Sequence, residues 1–202
     1  MKEMNNFISK ILFLILITFS VNAENKTLSI GSIDAKITIK VFSSLTCPHC
    51  ANFHKDIFEE LQKDYIDQGQ VKFEHHGFPL DLAALNAEII MRCHGDNKKI
   101  FKLLGEIYKK QDKWAIGSDI NAINESIKEI GLKSGLTTEK MDKCLKDENV
   151  QDQILNERIQ AQKKYKIQST PTIYINEKKY EGELTYKSFK KVIEKILKKY
   201  EI

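Results

Sequence analysis

Proline, glycine and long apolar runs are all scarce in this chain of 202 residues. With only three Pro and nine Gly, the composition excludes collagen and a disordered tail, and it predicts that most of the chain lies in regular structure. The 32 basic and 28 acidic residues leave a net charge of +4, which is too small to indicate a nucleic-acid partner. At 42% hydrophobic and 30% charged residues, the sequence fits one ordinary soluble domain with room for a subdomain.

The amino terminus has the three parts of a secretory signal peptide. Basic residues flank a polar start, residues 11–19 form an apolar run, and Ser20-Val21-Asn22-Ala23 supplies small residues before a cleavage site. The run is shorter than the about 20 apolar residues that span a bilayer. We therefore predict a signal peptide at residues 1–23, cleaved after Ala23, and a periplasmic mature protein in which disulfides persist. A retained membrane anchor is the alternative.

The first half of the chain contains a predicted strand–helix–strand unit. Apolar and polar residues alternate over 37–41, which is typical of a β-strand. Beyond Cys47-Pro48-His49-Cys50, apolar residues recur at three- and four-residue steps from His54 to Tyr65, as on one face of a helix. Val71–His75 is predicted to be the second strand. Such a unit places its two strands parallel, with a right-handed crossover.

A long stretch of helical pattern, residues 81–166, separates this unit from the last predicted strands. Asp96 and Ser118 are predicted to cap two of its helices. The stretch is longer than one crossover needs, so we predict an inserted helical domain at 81–166, with the flanking parts of one domain at 24–80 and 167–202. A strand after Pro171, a turn at 176–179, a return strand from Tyr180 and an amphipathic closing helix complete the pattern.

The Cys-x-x-Cys sequence at the strand–helix junction is the most informative motif. Residues three apart on a first helical turn are neighbours, so Cys47 and Cys50 can bond without backbone movement. Unpaired N–H groups and the helix dipole at Cys47 favour its thiolate. Pro48 suits the first helical position, and His49 adds a positive influence. We predict that Cys47 is the exposed sulfur that a substrate attacks and that Cys50 is shielded and resolves the mixed disulfide.

The Cys-x-x-Cys motif has two alternative interpretations, a zinc site and a purely structural disulfide. A zinc site needs two further ligands, and the available Cys and His residues form no second Cys-x-x-Cys or spaced His pair; no metal is predicted. A purely structural Cys47–Cys50 bridge would close too short a loop to stabilise the fold much.

The remaining cysteines and histidines are predicted to be structural. With Cys47 paired to Cys50, Cys93 and Cys144 are each other's remaining partner, and we expect a structural disulfide between them; two buried free thiols are the alternative. The histidines outside the motif are predicted to be packing or surface residues rather than catalysts: His54, His75, His76 and His94.

Cys47-Pro48-His49-Cys50 after a strand, the helical insertion, and Thr170-Pro171-Thr172 before a hairpin together resemble the DsbA family of exported thiol-disulfide oxidoreductases, in particular the alphaproteobacterial type. The resemblance implies an α/β, thioredoxin-like fold interrupted by an inserted helical domain. It implies that Cys47 and Cys50 are the redox pair, tuned by Pro48 and His49. It further implies that Pro171 is cis beside Cys47 and that Thr170 presents backbone to a substrate chain. No cofactor is expected.

The implied function is an exported disulfide oxidase that donates the Cys47–Cys50 disulfide to unfolded, cysteine-containing exported proteins. The family resemblance implies reoxidation by a quinone-linked membrane partner similar to DsbB, and a monomer is favoured. Two departures leave alternatives open. Val41 stands where family members often carry an acidic residue that relays a proton, and Thr170 replaces a Val often found there and is shared with isomerases. The alternatives are a disulfide isomerase or reductase, and a non-redox, chaperone-like binding module.

Overall fold

The computed structural model describes residues 27–200, so the predicted signal peptide at 1–23 and its cleavage after Ala23 lie outside the described residues. A five-stranded sheet has the strand order β1-β3-β2-β4-β5. Its strands are β1 (Leu28–Ile30), β2 (Ile37–Ser43), β3 (Val71–Gly77), β4 (Thr172–Ile175) and β5 (Lys178–Lys179). The β2–β3 pair is parallel, and the other three pairs are antiparallel. The predicted strand–helix–strand unit is therefore present.

The helix that follows β2 alternates between α-helical and π-helical segments. It contains α1 (Pro48–Phe53), a π segment π1 (His54–Phe58), α2 (Glu59–Leu61) and a second π segment π2 (Gln62–Ile66). Six helices lie between β3 and β4, and one follows β5. They are α3 (Leu82–Arg92), α4 (Asn97–Lys109), α5 (Gln111–Trp114), α6 (Ile120–Lys133), α7 (Thr138–Leu145), α8 (Glu148–Tyr165) and α9 (Tyr186–Leu197). The α/β fold with an inserted helical domain is thus confirmed.

Capping side chains fix where the inserted helices begin. Asp81 accepts from the N–H of Ala84 at 2.7 Å to start α3, and Asp96 caps α4 as the sequence predicts. The predicted cap at Ser118 is wrong by one residue. Asp119 caps α6, because its carboxylate accepts from two backbone N–H groups of the first turn, and an Asx side chain at that position satisfies otherwise unpaired donors.

The hairpin between β4 and β5 also differs from the sequence prediction. Asn176 and Glu177 both have positive φ, 46° and 64°, which is the geometry of a two-residue type I′ turn. The return strand therefore begins at Lys178 rather than at Tyr180. The Asn176 side chain, which we call the Asn176 clamp, accepts from the N–H of Thr38 at 2.7 Å and donates to the carbonyl of Lys36 at 3.0 Å.

The core lies on both faces of the sheet. Because side chains alternate along a strand, Phe73 of β3 faces π1 and α4, where it contacts Phe58 and Phe101. Phe42 of β2 faces the opposite side and packs against Tyr165 at the end of α8. Within residues 27–200, none of the helices combines the length and the apolar character needed to cross a bilayer.

Candidate active site

Two cysteines occupy the point where β2 meets the active-site helix. Cys47 is the N-cap of α1, with extended backbone angles, and Pro48 takes the first helical position, where a missing N–H costs nothing. Cys50 lies in the first turn and is 1% exposed. Both are free thiols, so the structure represents the reduced state of the pair.

Cys47 is less accessible than the sequence predicts, since only 7% of it is exposed. Its sulfur lies 3.3 Å from the carbonyl oxygen of Thr170. The Thr170–Pro171 peptide bond is cis, and its loop, more than 120 residues distant in sequence, lies next to this sulfur. The neighbouring Pro48 and His49 are exposed. Cys47 is therefore largely covered, and the Thr170 carbonyl lies against its sulfur.

The surroundings of Cys47 favour its thiolate. The pKa of Cys47 is lowered to about 5, chiefly because the Cys50 thiol donates a hydrogen bond to the anion. Burial opposes this effect, while the Thr170 side chain and the backbone N–H groups of Cys50 and His49 add to it. The protonated thiol donates to the Thr170 carbonyl, which favours the neutral form but is outweighed. His49 thus acts on the sulfur through its backbone.

Cys50 has the opposite tendency. Burial raises its pKa far above that of an ordinary thiol, and the neighbouring Cys47 raises it further. The two sulfurs therefore differ in both access and acidity, as a leaving group and a resolving thiol do in exchange chemistry.

Gln111 is a site residue that sequence reasoning missed. It is buried in α5, and its Nε2 donates to the carbonyl oxygens of Leu45 at 2.7 Å and of Cys47 at 3.0 Å. A nearby contact, from the Thr46 hydroxyl to the carboxylate of Asp81 at 2.7 Å, fastens the same turn to the start of α3. The inserted domain therefore holds the backbone that positions Cys47. A single Gln in an amphipathic stretch gives no sequence signal for this role.

The space behind Cys50 is lined by ionisable side chains rather than by apolar ones alone. A cavity of about 10 Å³ lies among Cys50, Val41, Ser43, Phe73 and neighbouring groups. The further lining residues include His54, His75 and Tyr108. Val41 occupies the position where the resembled family often has an acid, and it lies opposite His75 in the β2–β3 register.

The other cysteine pair lies in the inserted domain. Cys93, at the end of α3, and Cys144, in α7, are joined by a disulfide with a Cα–Cα distance of 6.3 Å. Neither residue lines the cavity behind Cys50. Among residues 27–200, no group of three or more His, Cys, Asp or Glu side chains is arranged to hold a metal ion.

Comparisons with known proteins give matches along most of the chain. Residues 23–195 match a family model described as Thioredoxin. A Rickettsia bellii protein, provisionally described as a protein-disulfide oxidoreductase, is 32% identical over 160 residues, covering 79% of this chain and 60% of that protein. Disulfide bond formation protein D of Bacillus subtilis is 34% identical over 179 residues, covering 84% of this chain and 76% of that protein.

A solved structure shows the same arrangement. The crystal structure of Wolbachia pipientis alpha-DsbA1 matches with a TM-score of 0.79 and 27% identity, over 86% of this chain and 92% of that one. By contrast, the chain spans only about 60% of the length of the Rickettsia bellii protein. The similarity to alpha-DsbA1 covers both the sheet and the inserted helices.

Proposed function

Because the chain belongs to the DsbA family of thioredoxin-fold proteins, we propose that it is an exported disulfide oxidase. It donates the Cys47–Cys50 disulfide to folding secreted proteins. The asymmetry of the two sulfurs carries this proposal. A thiol whose pKa is about 5 is almost wholly ionised at neutral pH, and a stable thiolate favours the reduced form of the pair. A pair that prefers to be reduced gives its disulfide away.

The exchange proceeds in two displacements. A substrate thiolate attacks the Cys47 sulfur, the Cys47–Cys50 bond breaks, and its electron pair leaves on Cys50. A second substrate thiolate then attacks the substrate sulfur of the mixed disulfide, which releases Cys47 as a thiolate and leaves a substrate disulfide. Thr170, whose carbonyl lies beside the Cys47 sulfur, and Pro171 present backbone to an extended substrate, as in recognition by strand addition.

The place of action and the partners follow from the same proposal. Residues 1–23 direct export to the periplasm, with cleavage after Ala23, and the mature protein acts as a monomer without a cofactor. Its substrates are unfolded, cysteine-containing exported proteins. The dithiol left after each cycle is reoxidised by a quinone-linked membrane protein similar to DsbB. The domain limits proposed for the mature chain are 24–80 and 167–202 around the insertion at 81–166, whose disulfide stays outside the catalytic cycle.

Thr170 favours a second candidate function, a disulfide isomerase or reductase. Its side chain places a polar group beside Cys47, where it helps to lower the pKa of that thiol. Two assays separate the candidates: oxidation of a reduced dithiol peptide and reactivation of scrambled ribonuclease. An oxidase excels in the first. Strong reactivation with feeble peptide oxidation would reverse the assignment.

The variant Cys47→Ala/Cys50→Ala tests whether redox chemistry is needed at all. We expect it to lose peptide oxidation completely while it remains folded. The matched control, Cys93→Ala/Cys144→Ala, removes the same number of sulfurs and is expected to retain oxidation. If the first variant retains the biological function of the protein, the protein acts as a non-redox binding module instead.

A further inference from the structure

A buried contact between a histidine and a carboxylate lies behind Cys50. His75 on β3 and Glu88 on α3 are joined by a contact of 3.0 Å between Nε2 and Oε2, and each side chain is only 2% exposed. Gly77 leaves the space for this carboxylate, because a Cβ at that position would lie 2.7 Å from the Glu88 side chain. Arg92, one turn further along α3, donates to the other oxygen of Glu88 at 3.0 Å.

The other side of the His75 ring faces the redox pair. Its Nδ1 lies 3.3 Å from the hydroxyl of Ser43, and Ser43, His75 and Cys50 line the same cavity. That cavity, at about 10 Å³, is near the lower limit of what one water occupies. The Ser43 hydroxyl is both donor and acceptor, so it connects the imidazole with the space that the buried thiol faces.

Resting on the proposed function, we propose that His75 holds the proton that Cys50 takes up when the disulfide opens, with Ser43 carrying it across. His75 is then a positioning residue. It supplies the proton, which the apolar side chain of Val41 cannot do. The Glu88 carboxylate balances the imidazolium. Burial alone would raise the pKa of Glu88, but His75 and Arg92 hold it below its ordinary value, so the carboxylate stays charged.

The residues of the site account for the proton and the electron pair that move in each exchange. Substrate attack on Cys47 sends the electron pair of the broken bond to Cys50. That thiolate takes a proton from Ser43, which takes one from Nδ1 of His75, and the imidazolium becomes imidazole. During reoxidation Cys47 attacks a disulfide of the oxidising partner. Cys50 then returns its proton by the same route and attacks Cys47, which releases the partner's thiolate.

His54 is the rival imidazole on the same cavity. It is one helical turn after Cys50, and its Nε2 is buried with no partner among the described residues. Burial and the nearby His75 lower its pKa to about 3, and no carboxylate contacts it among the ion pairs of residues 27–200. His54 is therefore neutral at working pH and does not carry the second ring proton that an imidazolium would pass to Cys50.

The titratable and polar groups that contact His75 or line the cavity with it lie on five elements. They are Ser43 of β2, Cys50 of α1, His54 of π1, Glu88 of α3 and Tyr108 of α4. The strand on the other side of β3 contributes Leu28 opposite His75, which is uncharged. Burial raises the pKa of Tyr108 well above its ordinary value, so its hydroxyl stays neutral, and Glu88 is the carboxylate that contacts His75.

The test measures the reaction of Cys47 and the reaction of Cys50 as two separate steps. Reduced protein is mixed with oxidised glutathione, and quenched samples are analysed by mass: Cys47 forms the mixed disulfide, and Cys50 then displaces glutathione. For His75→Gln we expect an unchanged first step and a second step slowed about tenfold or more near neutral pH. The deficit should shrink as pH rises, because hydroxide then deprotonates Cys50 directly. A merely structural defect would slow the step equally at all pH values.

Two further variants keep the outcome decisive. Ser43→Ala leaves the His75–Glu88 pair intact, so it tests the route even if His75→Gln fails to fold, and it is expected to slow the second step with the same pH dependence. His54→Gln is the matched control and should leave the pH profile unchanged. An unaltered second step in Ser43→Ala, or a defect in His54→Gln instead of His75→Gln, overturns the proposal. If the wild-type protein performs neither step, the proposed function itself fails.

Discussion

The side-chain amide of Gln111 lies 3.0 Å from the carbonyl oxygen of Cys47, so the inserted helices hold the backbone of the redox turn directly. The same Nε2 donates to Leu45 at 2.7 Å. A buried donor shared by two carbonyls fixes their spacing, and the angle at which Cys47 enters α1 depends on it. The insertion is therefore part of the active-site architecture as well as a cover for the sheet.

The first prediction concerns this contact. Gln111→Leu keeps the side-chain volume but leaves two carbonyl oxygens without their donor, and we expect a loss of about 1–3 kcal/mol in the free energy of unfolding. Urea unfolding of the oxidised protein measures it. Asp112→Asn, at the exposed neighbouring position, serves as the control and should stay within about 0.5 kcal/mol of wild type. Equal stability of the two variants would refute the role of Gln111.

The second prediction concerns the acidity of Cys47. Ultraviolet absorbance of the thiolate should titrate with a midpoint near the pKa of about 5. Cys50→Ala should raise that pKa, because the hydrogen bond from the Cys50 thiol is the largest cause of the lowering. Cys50→Ser retains a donor and should raise it less. A midpoint that does not move in Cys50→Ala would show that another group stabilises the anion.

The third prediction links this acidity to stability. The folded reduced protein holds the pKa of Cys47 at about 5, below the 9.0 of an ordinary thiol. A depressed pKa stabilises the fold above the unfolded value and loses that effect as pH falls through the folded one. The excess stability of the reduced over the oxidised protein should thus decline from about pH 8 to pH 5. Near pH 7 its contribution is on the order of 2 kcal/mol after allowance for solvent screening.

Paired urea unfolding of the two redox states at each pH measures this difference. The measurement stays below about pH 8, where Cys50 is protonated in both the folded and the unfolded reduced chain. A Cys47→Ser variant cannot form the thiolate and provides the control, since its stability should lack this pH dependence. A difference that grows towards acid pH would contradict the assignment.

The fourth prediction concerns the disulfide of the inserted domain. Cys93 and Cys144 are 51 positions apart, and opening a loop of that length costs up to about 4 kcal/mol in the chain-entropy picture. Cys93→Ala/Cys144→Ala should therefore unfold at lower urea concentration but keep the thiolate midpoint of Cys47. Thermal and urea unfolding, with the thiolate titration alongside, measure both effects. A shifted midpoint would show that the two sulfur pairs are coupled.

The sequence predicts the local part of the site well. Cys-x-x-Cys at a strand end, with Pro48 suited to a first helical position, specifies a helix N-terminus from neighbouring residues alone. The periodic patterns around it likewise predicted the central strands and the helical insertion, because each pattern reports which face is buried. The resemblance to the DsbA family supplied the approach of Pro171, which no local pattern reveals.

The remaining features depend on contacts between distant segments. Gln111 matters only because α5 begins next to the turn at Cys47, and His75 contacts Glu88 from a strand to a helix. Neither residue belongs to a motif, so the sequence predicts only a packing or surface role for His75 and no role for Gln111. The predicted start of the return strand at Tyr180 is wrong for a different reason. Glu177 at positive φ is unusual, and its turn is held by the Asn176 clamp rather than by glycine.

The Asn176 clamp ties the last part of the chain to the beginning of the central strand, 138 residues earlier. A polypeptide made from its amino end presents Cys47 and Cys50 long before β4 arrives to complete the sheet. Until then the Cys47 sulfur lacks its contact with the Thr170 carbonyl, and β2 lacks its pairing with β4. Assembly of the redox centre is therefore a late, long-range event in folding. Before it is complete, the cysteines of the nascent chain are themselves open to the thiol-disulfide exchange that the folded protein carries out.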